Sequence, residues 1–115
     1  MITAIDAHYY LAKDLKRALT FYCEVLKLKV ATEYPSGTEF ILPDDTAFGI
    51  FTMPNGEWMQ CGGVMFAVSD IAQSAEEVEA GGGTLLTGLN ESPVCHVMWC
   101  TDTEGNSFAL HTRKA

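Results

Sequence analysis

Few side chains in this 115-residue chain could do chemistry. They are three histidines, His8, His96 and His111, and four cysteines, Cys23, Cys61, Cys95 and Cys100. The cysteines are 38, 34 and 5 positions apart. No pair has the C-x-x-C spacing of a zinc knuckle or a thioredoxin-like redox site. Cys95 and His96 are adjacent donors, but neighbours on a strand point to opposite faces and do not aim at one ion. The start of the chain lacks the basic residues and longer apolar stretch of a secretory signal, so reduced thiols, mostly buried as small apolar groups, are expected.

Charge narrows the partners. Seven Lys and Arg stand against fifteen Asp and Glu, for a formal net charge of −8. Basic residues come at most in adjacent pairs, such as Arg113-Lys114, too little to displace counterions from a nucleic acid. The acidity either maintains solubility or steers cationic ligands inward. Apolar residues make up 48% and charged residues 19%, a globular composition. The longest apolar runs, such as Val64-Met65-Phe66-Ala67-Val68, are too short to span a bilayer as a helix. A cytoplasmic protein of one domain, or of two small modules sharing a core, is expected.

The elements that must position these groups follow from periodicity. Ile2 to Leu11, rich in Ile, Tyr and His, reads as a strand. Asp14 is a suitable N-cap for a helix with Leu15, Ala18, Leu19, Tyr22, Val25 and Leu26 on one face. Strands are expected at Leu28 to Tyr34, Thr38 to Leu42 and Ala47 to Met53, separated by turn formers at Pro35-Ser36-Gly37 and Pro43-Asp44-Asp45-Thr46. After Pro54-Asn55-Gly56 the order restarts. Gly63 to Val68 reads as a strand, and Asp70 caps a helix through Ile71, Ser74, Ala75 and Val78 that Gly81-Gly82-Gly83 ends. Strands at Thr84 to Thr87, Val94 to Thr101 and Ser107 to Thr112 complete the chain, the last two joined by Asp102-Thr103-Glu104-Gly105-Asn106.

Strand, helix and three strands are therefore spelled twice. Superposing Asp14-Leu15 on Asp70-Ile71 offsets the copies by 56 residues, and superposing Ala47–Phe51 on Ser107–His111 offsets them by 60. An internal duplication with a few extra loop residues in the second copy accounts for both.

Three segments then resemble the glyoxalase/bleomycin-resistance/extradiol-dioxygenase superfamily, the vicinal oxygen chelate proteins. The stretch from Asp14-Leu15 through Phe21-Tyr22 to Val25-Leu26 is similar to its first helix. Val68-Ser69-Asp70-Ile71 through Ala80-Gly81-Gly82 is similar to its second helix and glycine stop. Asp102-Thr103-Glu104-Gly105-Asn106 through His111 resembles its terminal hairpin. Lys27 stands where a helix-ending glycine is usual, and Thr103 where proline is usual. The resemblance implies an α+β fold: two tandem βαβββ modules, 1–55 and 61–115, forming a curved incomplete β-barrel with helices outside. It also implies a homodimer and a small-molecule ligand. Members include metal-dependent lyases, isomerases and dioxygenases as well as metal-free antibiotic-sequestering proteins.

In the metal enzymes of that family, ligands come from the first and last strands of each module. Carried onto this sequence, those positions fall at Ala7, Gly49, Gly63 and Ala109. None of these side chains holds an oxygen, nitrogen or sulfur donor. The resemblance thus implies a metal-free member with no cofactor, the alternative being a metal-dependent lyase, isomerase or dioxygenase in another register. A one-residue slip would put His8 at the first position, but it would also turn Phe66 and Phe108 away from the helix-facing core. His8 is instead expected beneath the first helix or hydrogen-bonded near it.

Small residues at those positions free space. Strand alternation places Tyr9, Phe51, Met65 and His111 on the same inner faces, where they line a ligand site or fill ordinary core. His111 serves there as a hydrogen-bond partner or general base, or is simply an exposed histidine of the terminal strand. Trp58, on the connection between the copies, covers the site or a subunit contact. Trp99 completes the expected ligand-binding set, with its facing left open.

Overall fold

The computed structural model describes residues 1–114. They form two compact units with the boundary between Met59 and Gln60. The first contains β1 (His8–Leu11), α1 (Leu15–Thr20), β2 (Lys29–Tyr34), β3 (Gly37–Ile41) and β4 (Ala47–Phe51). The second contains β5 (Val64–Ala67), α2 (Ile71–Ala80), β6 (Thr84–Leu85), β7 (Asn90–Glu91), β8 (Cys95–Thr101) and β9 (Ser107–Arg113). The fold is α+β, and the βαβββ order occurs twice, with β7 an addition to the second copy.

In the first unit the sheet runs β1-β4-β3-β2, with β1 parallel to β4 and the other pairs antiparallel. Asp14 opens α1 as the sequence predicts, its carboxylate accepting the Arg17 N–H at 3.1 Å. The helix then widens into a π-helical turn over Phe21–Val25, with the Leu26 N–H reaching Phe21 O at 3.0 Å. Lys27, at the usual glycine position, takes the left-handed conformation with φ 59°. One sheet face is sealed by this helix: Ala18, Phe21 and Tyr22 are buried together with Tyr10, Phe40, Phe48 and Ile50. The Tyr22 ring lies 5.4 Å from that of Phe48 and 6.2 Å from that of Phe40. Burying each such ring contributes roughly 3 kcal/mol before entropy is counted.

The second sheet runs β5-β9-β8-β6, with β7 also paired to β8. Asp70 caps α2 by accepting the Gln73 N–H at 3.1 Å, and Gly82, at φ 100°, carries the chain out of the helix. Ala75 and Val78 of α2 are buried along with Phe66, Met98, Cys100, Phe108 and Leu110. The Phe66 and Phe108 rings meet at 5.8 Å, which puts both in the helix-facing core as expected.

The turn between β8 and β9 is held from within. Asp102 Oδ1 accepts the backbone N–H groups of Glu104 at 2.8 Å and Asn106 at 2.9 Å, while Oδ2 accepts the Asn106 side-chain amide at 3.0 Å. The Asn106 Oδ1 in turn accepts the Cys61 N–H at 2.9 Å, tying the start of the second unit to its last hairpin.

Two expectations need correction. The first strand begins at His8 and not at Ile2; residues 1–7 have no regular structure and are exposed, because β4 supplies partners only from Phe48 onward. The strand expected over Thr84 to Thr87 stops at Leu85. The Thr87 hydroxyl, not another ladder carbonyl, accepts the Trp99 N–H at 3.1 Å, and the chain then forms β7, which has no signal in the periodicity.

Candidate functional site

Each sheet has a second face, turned away from its helix. On the first sheet this face is built around Phe51. Register pairs Tyr34 with Gly37, Gly37 with Phe51, Glu39 with Gly49, and Tyr9 with Gly49, so all these positions share one side. The Phe51 ring lies across the two glycines. A Cβ added at Gly37 would stand 2.4 Å from Phe51 Cδ1, and one added at Gly49 2.4 Å from Cε2. Any larger residue at either position would displace the ring.

Two tyrosines flank it. The Tyr9 ring stands edge-on to Phe51 at 6.2 Å and 81°, and the Tyr34 ring is tilted against it at 6.1 Å and 41°. Tyr9 is 62% and Tyr34 48% exposed, whereas Tyr10, the neighbour of Tyr9 on the helix side, is buried. Tyr34 is absent from the sequence-based set. Its signal is the hairpin loop: once Pro35-Ser36 is recognised as a two-residue turn, Tyr34 must lie opposite Gly37 and hence beside Phe51.

The second sheet is built on the same plan. Met65 pairs with Ala109, Ala109 with Trp99, and His111 with both Ala67 and Val97. Met65, Trp99 and His111 therefore share the face opposite α2, which settles the facing of Trp99. Met65 is 51% exposed, Trp99 and His111 are half-buried, and Ala109 between Met65 and Trp99 is fully buried.

The four positions implied as metal ligands by the resemblance fall as follows. Ala7 precedes β1 and is exposed, Gly49 lies under the Phe51 ring, Gly63 precedes β5 at φ 96°, and Ala109 is the buried methyl just described. A divalent metal needs converging O, N or S donors, and these residues supply none, so they do not fit the metal that other members of such a family hold. Among the described residues, no three His, Cys, Asp or Glu side chains come together in a metal-binding group.

The other residues singled out by the sequence have the following surroundings. Trp58 donates its indole N–H to Leu11 O at 3.1 Å, and the Lys13 ammonium sits 4.1 Å from its ring centroid, so this residue braces the end of β1. His8 pairs with Phe48 at the mouth of the strand and is exposed, not packed beneath α1. His96 lies 3.8 Å from Glu91, which also binds Lys114. Burial pushes the Cys100 thiol up to about 11, and burial, then Glu24 and Glu33, raises that of Cys23. Both shifts oppose the thiolate that a nucleophile requires.

Comparison with known proteins fits this geometry. The chain is similar to a member of the Glyoxalase/bleomycin resistance protein/dioxygenase superfamily from Sphaerobacter thermophilus, at 19% identity over 96% of this chain and 98% of the other, with a TM-score of 0.79. It is also similar to TnmS3, an antibiotic binding protein from Streptomyces sp. CB03234, at 16% identity, 98% coverage of each chain and a TM-score of 0.80. A lactoylglutathione lyase from Agrobacterium tumefaciens matches at 19% identity, 96% and 94% coverage and a TM-score of 0.74. At these identities the likeness is one of fold. No curated protein sequence matches the chain. The family model for the Glyoxalase/Bleomycin resistance protein/Dioxygenase superfamily matches residues 5–110, and the chain belongs to that superfamily.

Proposed function

We propose that this chain is a metal-free small-molecule-binding protein that captures an amphipathic or cationic compound stoichiometrically, without making or breaking bonds. The observation that supports this reading most is the use of Gly49. A position that would bear a ligand in a metal enzyme instead seats the ring of Phe51. The side chains on the two open faces are aromatic and soft (Tyr9 and Phe51 on one, Met65 and Trp99 on the other), with His111 as a polar handle. Side chains of these kinds on either face suit a flat, partly apolar molecule. The name of TnmS3, an antibiotic binding protein of the same fold, agrees with it.

The proposal includes a cytoplasmic homodimer whose subunits are each a single domain of two modules, 1–55 and 61–115. Ligand binding raises apparent stability by mass action, about 2.7 kcal/mol at a hundredfold excess over Kd. A thermal-shift panel of aromatic, cationic and anionic compounds is the test. Shifts confined to aromatic or cationic members are expected; no shift with any compound would contradict capture.

A further inference from the structure

The open face of the first sheet singles out a ligand class. Phe51 forms a floor across Gly37 and Gly49, with Tyr9 on one side and Tyr34 on the other. Glu39 stands on the same face, directly across from Gly49 and two residues from Gly37. It is half-buried and takes part in no ion pair among the described residues. Lys29, opposite Ile41, is the nearest cation on that face and lies one pair further along, beyond Glu39 from the rings. The three rings have electron-rich faces, and the adjacent charge is negative on a chain whose net charge is −8. Aromatic faces and a carboxylate attract the same kind of guest: a delocalised cation flat enough to lie on Phe51.

We infer that this face binds a planar organic cation, with Phe51 as the stacking floor, Tyr9 and Tyr34 as walls, and Glu39 as the residue that selects positive charge. The inference rests on the small-molecule reading above and adds the ligand class together with two residues, Tyr34 and Glu39. A neutral or anionic guest of the same shape would gain the stacking but meet an uncompensated carboxylate.

The test is titration of the full chain with N-methylacridinium and with anthracene carboxylate, a planar anion of similar size, followed by fluorescence and calorimetry. The cation is expected to bind at least tenfold more tightly. Glu39→Gln should weaken cation binding about threefold to tenfold and narrow the preference over the anion. Tyr34→Leu should weaken cation binding about threefold to thirtyfold, the range of a cation–π contact. Val94→Ala, an exposed position ahead of β8 that belongs to neither face, controls for general disruption and should leave cation binding unchanged. Equal affinity for cation and anion, or a Glu39→Gln variant with the parent's preference, would overturn the inference. If neutral compounds bind and neither ion does, the small-molecule reading survives and this one fails. If Tyr34→Leu and Glu39→Gln change the dimer–monomer equilibrium but not cation binding, the face is a subunit interface, and the inference again fails.

Discussion

Gly37 and Gly49 both lie under Phe51, but their substitution by alanine should have unequal costs. At Gly49, the three atoms nearest an added Cβ all belong to the ring, Cε2 at 2.4 Å with Cζ and Cδ2 at 3.2 and 3.3 Å. Carbon atoms prefer about 3.5–4.0 Å, so the ring has to withdraw by roughly 1 Å, which a side chain on an open face can do. At Gly37 the added Cβ lies 2.2 Å from the carbonyl oxygen of Ile50 and 2.7 Å from Phe51 Cα. These are backbone atoms of the neighbouring strand, fixed by ladder hydrogen bonds, and the two strands must part. Overpacking costs about 1–3 kcal/mol, with the flexible neighbour at the low end and the rigid one at the high end. Alanine recovers about 0.4–1 kcal/mol by restricting the unfolded chain. The net expectation is about 0.5 kcal/mol for Gly49→Ala and about 2–2.5 kcal/mol for Gly37→Ala. Urea denaturation followed by tryptophan fluorescence measures both as shifts in midpoint at constant m. Both variants should also weaken aromatic ligands, because the floor is displaced in each. Equal stabilities for the two, or undiminished ligand affinity in Gly49→Ala, would refute the seating of Phe51 on these glycines.

Other expectations concern the rest of the fold. Asn106→Ala removes the Oδ1 acceptor of the Cys61 N–H and a partner of the buried Asp102 carboxylate, so a loss of about 2–4 kcal/mol in denaturant titrations is expected. Lys27→Gly relieves a left-handed non-glycine residue and should stabilise by roughly 0.5–1 kcal/mol, seen as a raised midpoint. The Cys100 thiol titrates at about 11 in the folded protein against an ordinary 9.0, so the native state holds its proton longer than the unfolded chain. Its contribution is therefore complete below pH 9 and is lost as pH rises from 9 toward 11. Denaturation at pH 8 and pH 10.5 should show an alkaline loss in the parent that is smaller in Cys100→Ala.

The two helices and the duplication were legible in the sequence because their signals are local. Asp14 and Asp70 are caps three residues ahead of the amides they bind, and 3.6-residue periodicity marks the faces that become buried. The facing of Tyr9, Phe51, Met65 and His111 was also legible, since strand alternation has a period of two and needs only the right starting residue. What depends on pairing was not. Trp99 acquires its facing from its position opposite Ala109, and Tyr34 enters the site through its place opposite Gly37, the partner of Phe51. His8 has the parity of the buried Tyr10 yet is exposed at the first position of β1. The role of Trp58 hinges on a carbonyl 47 positions away, at Leu11, and no local pattern announces it. Long-range partners account for Trp58 and Trp99, and the type of a tight turn accounts for Tyr34.

The central claim is that the positions Ala7, Gly49, Gly63 and Ala109 leave this chain without a metal centre. Elemental analysis of the full chain, purified without chelator and supplied in turn with zinc, iron, manganese and nickel, tests it most directly. Far less than one equivalent per chain, with ligand affinity unchanged by EDTA, is the predicted result. One tightly held equivalent of any of these ions, or ligand binding abolished by EDTA, would contradict it.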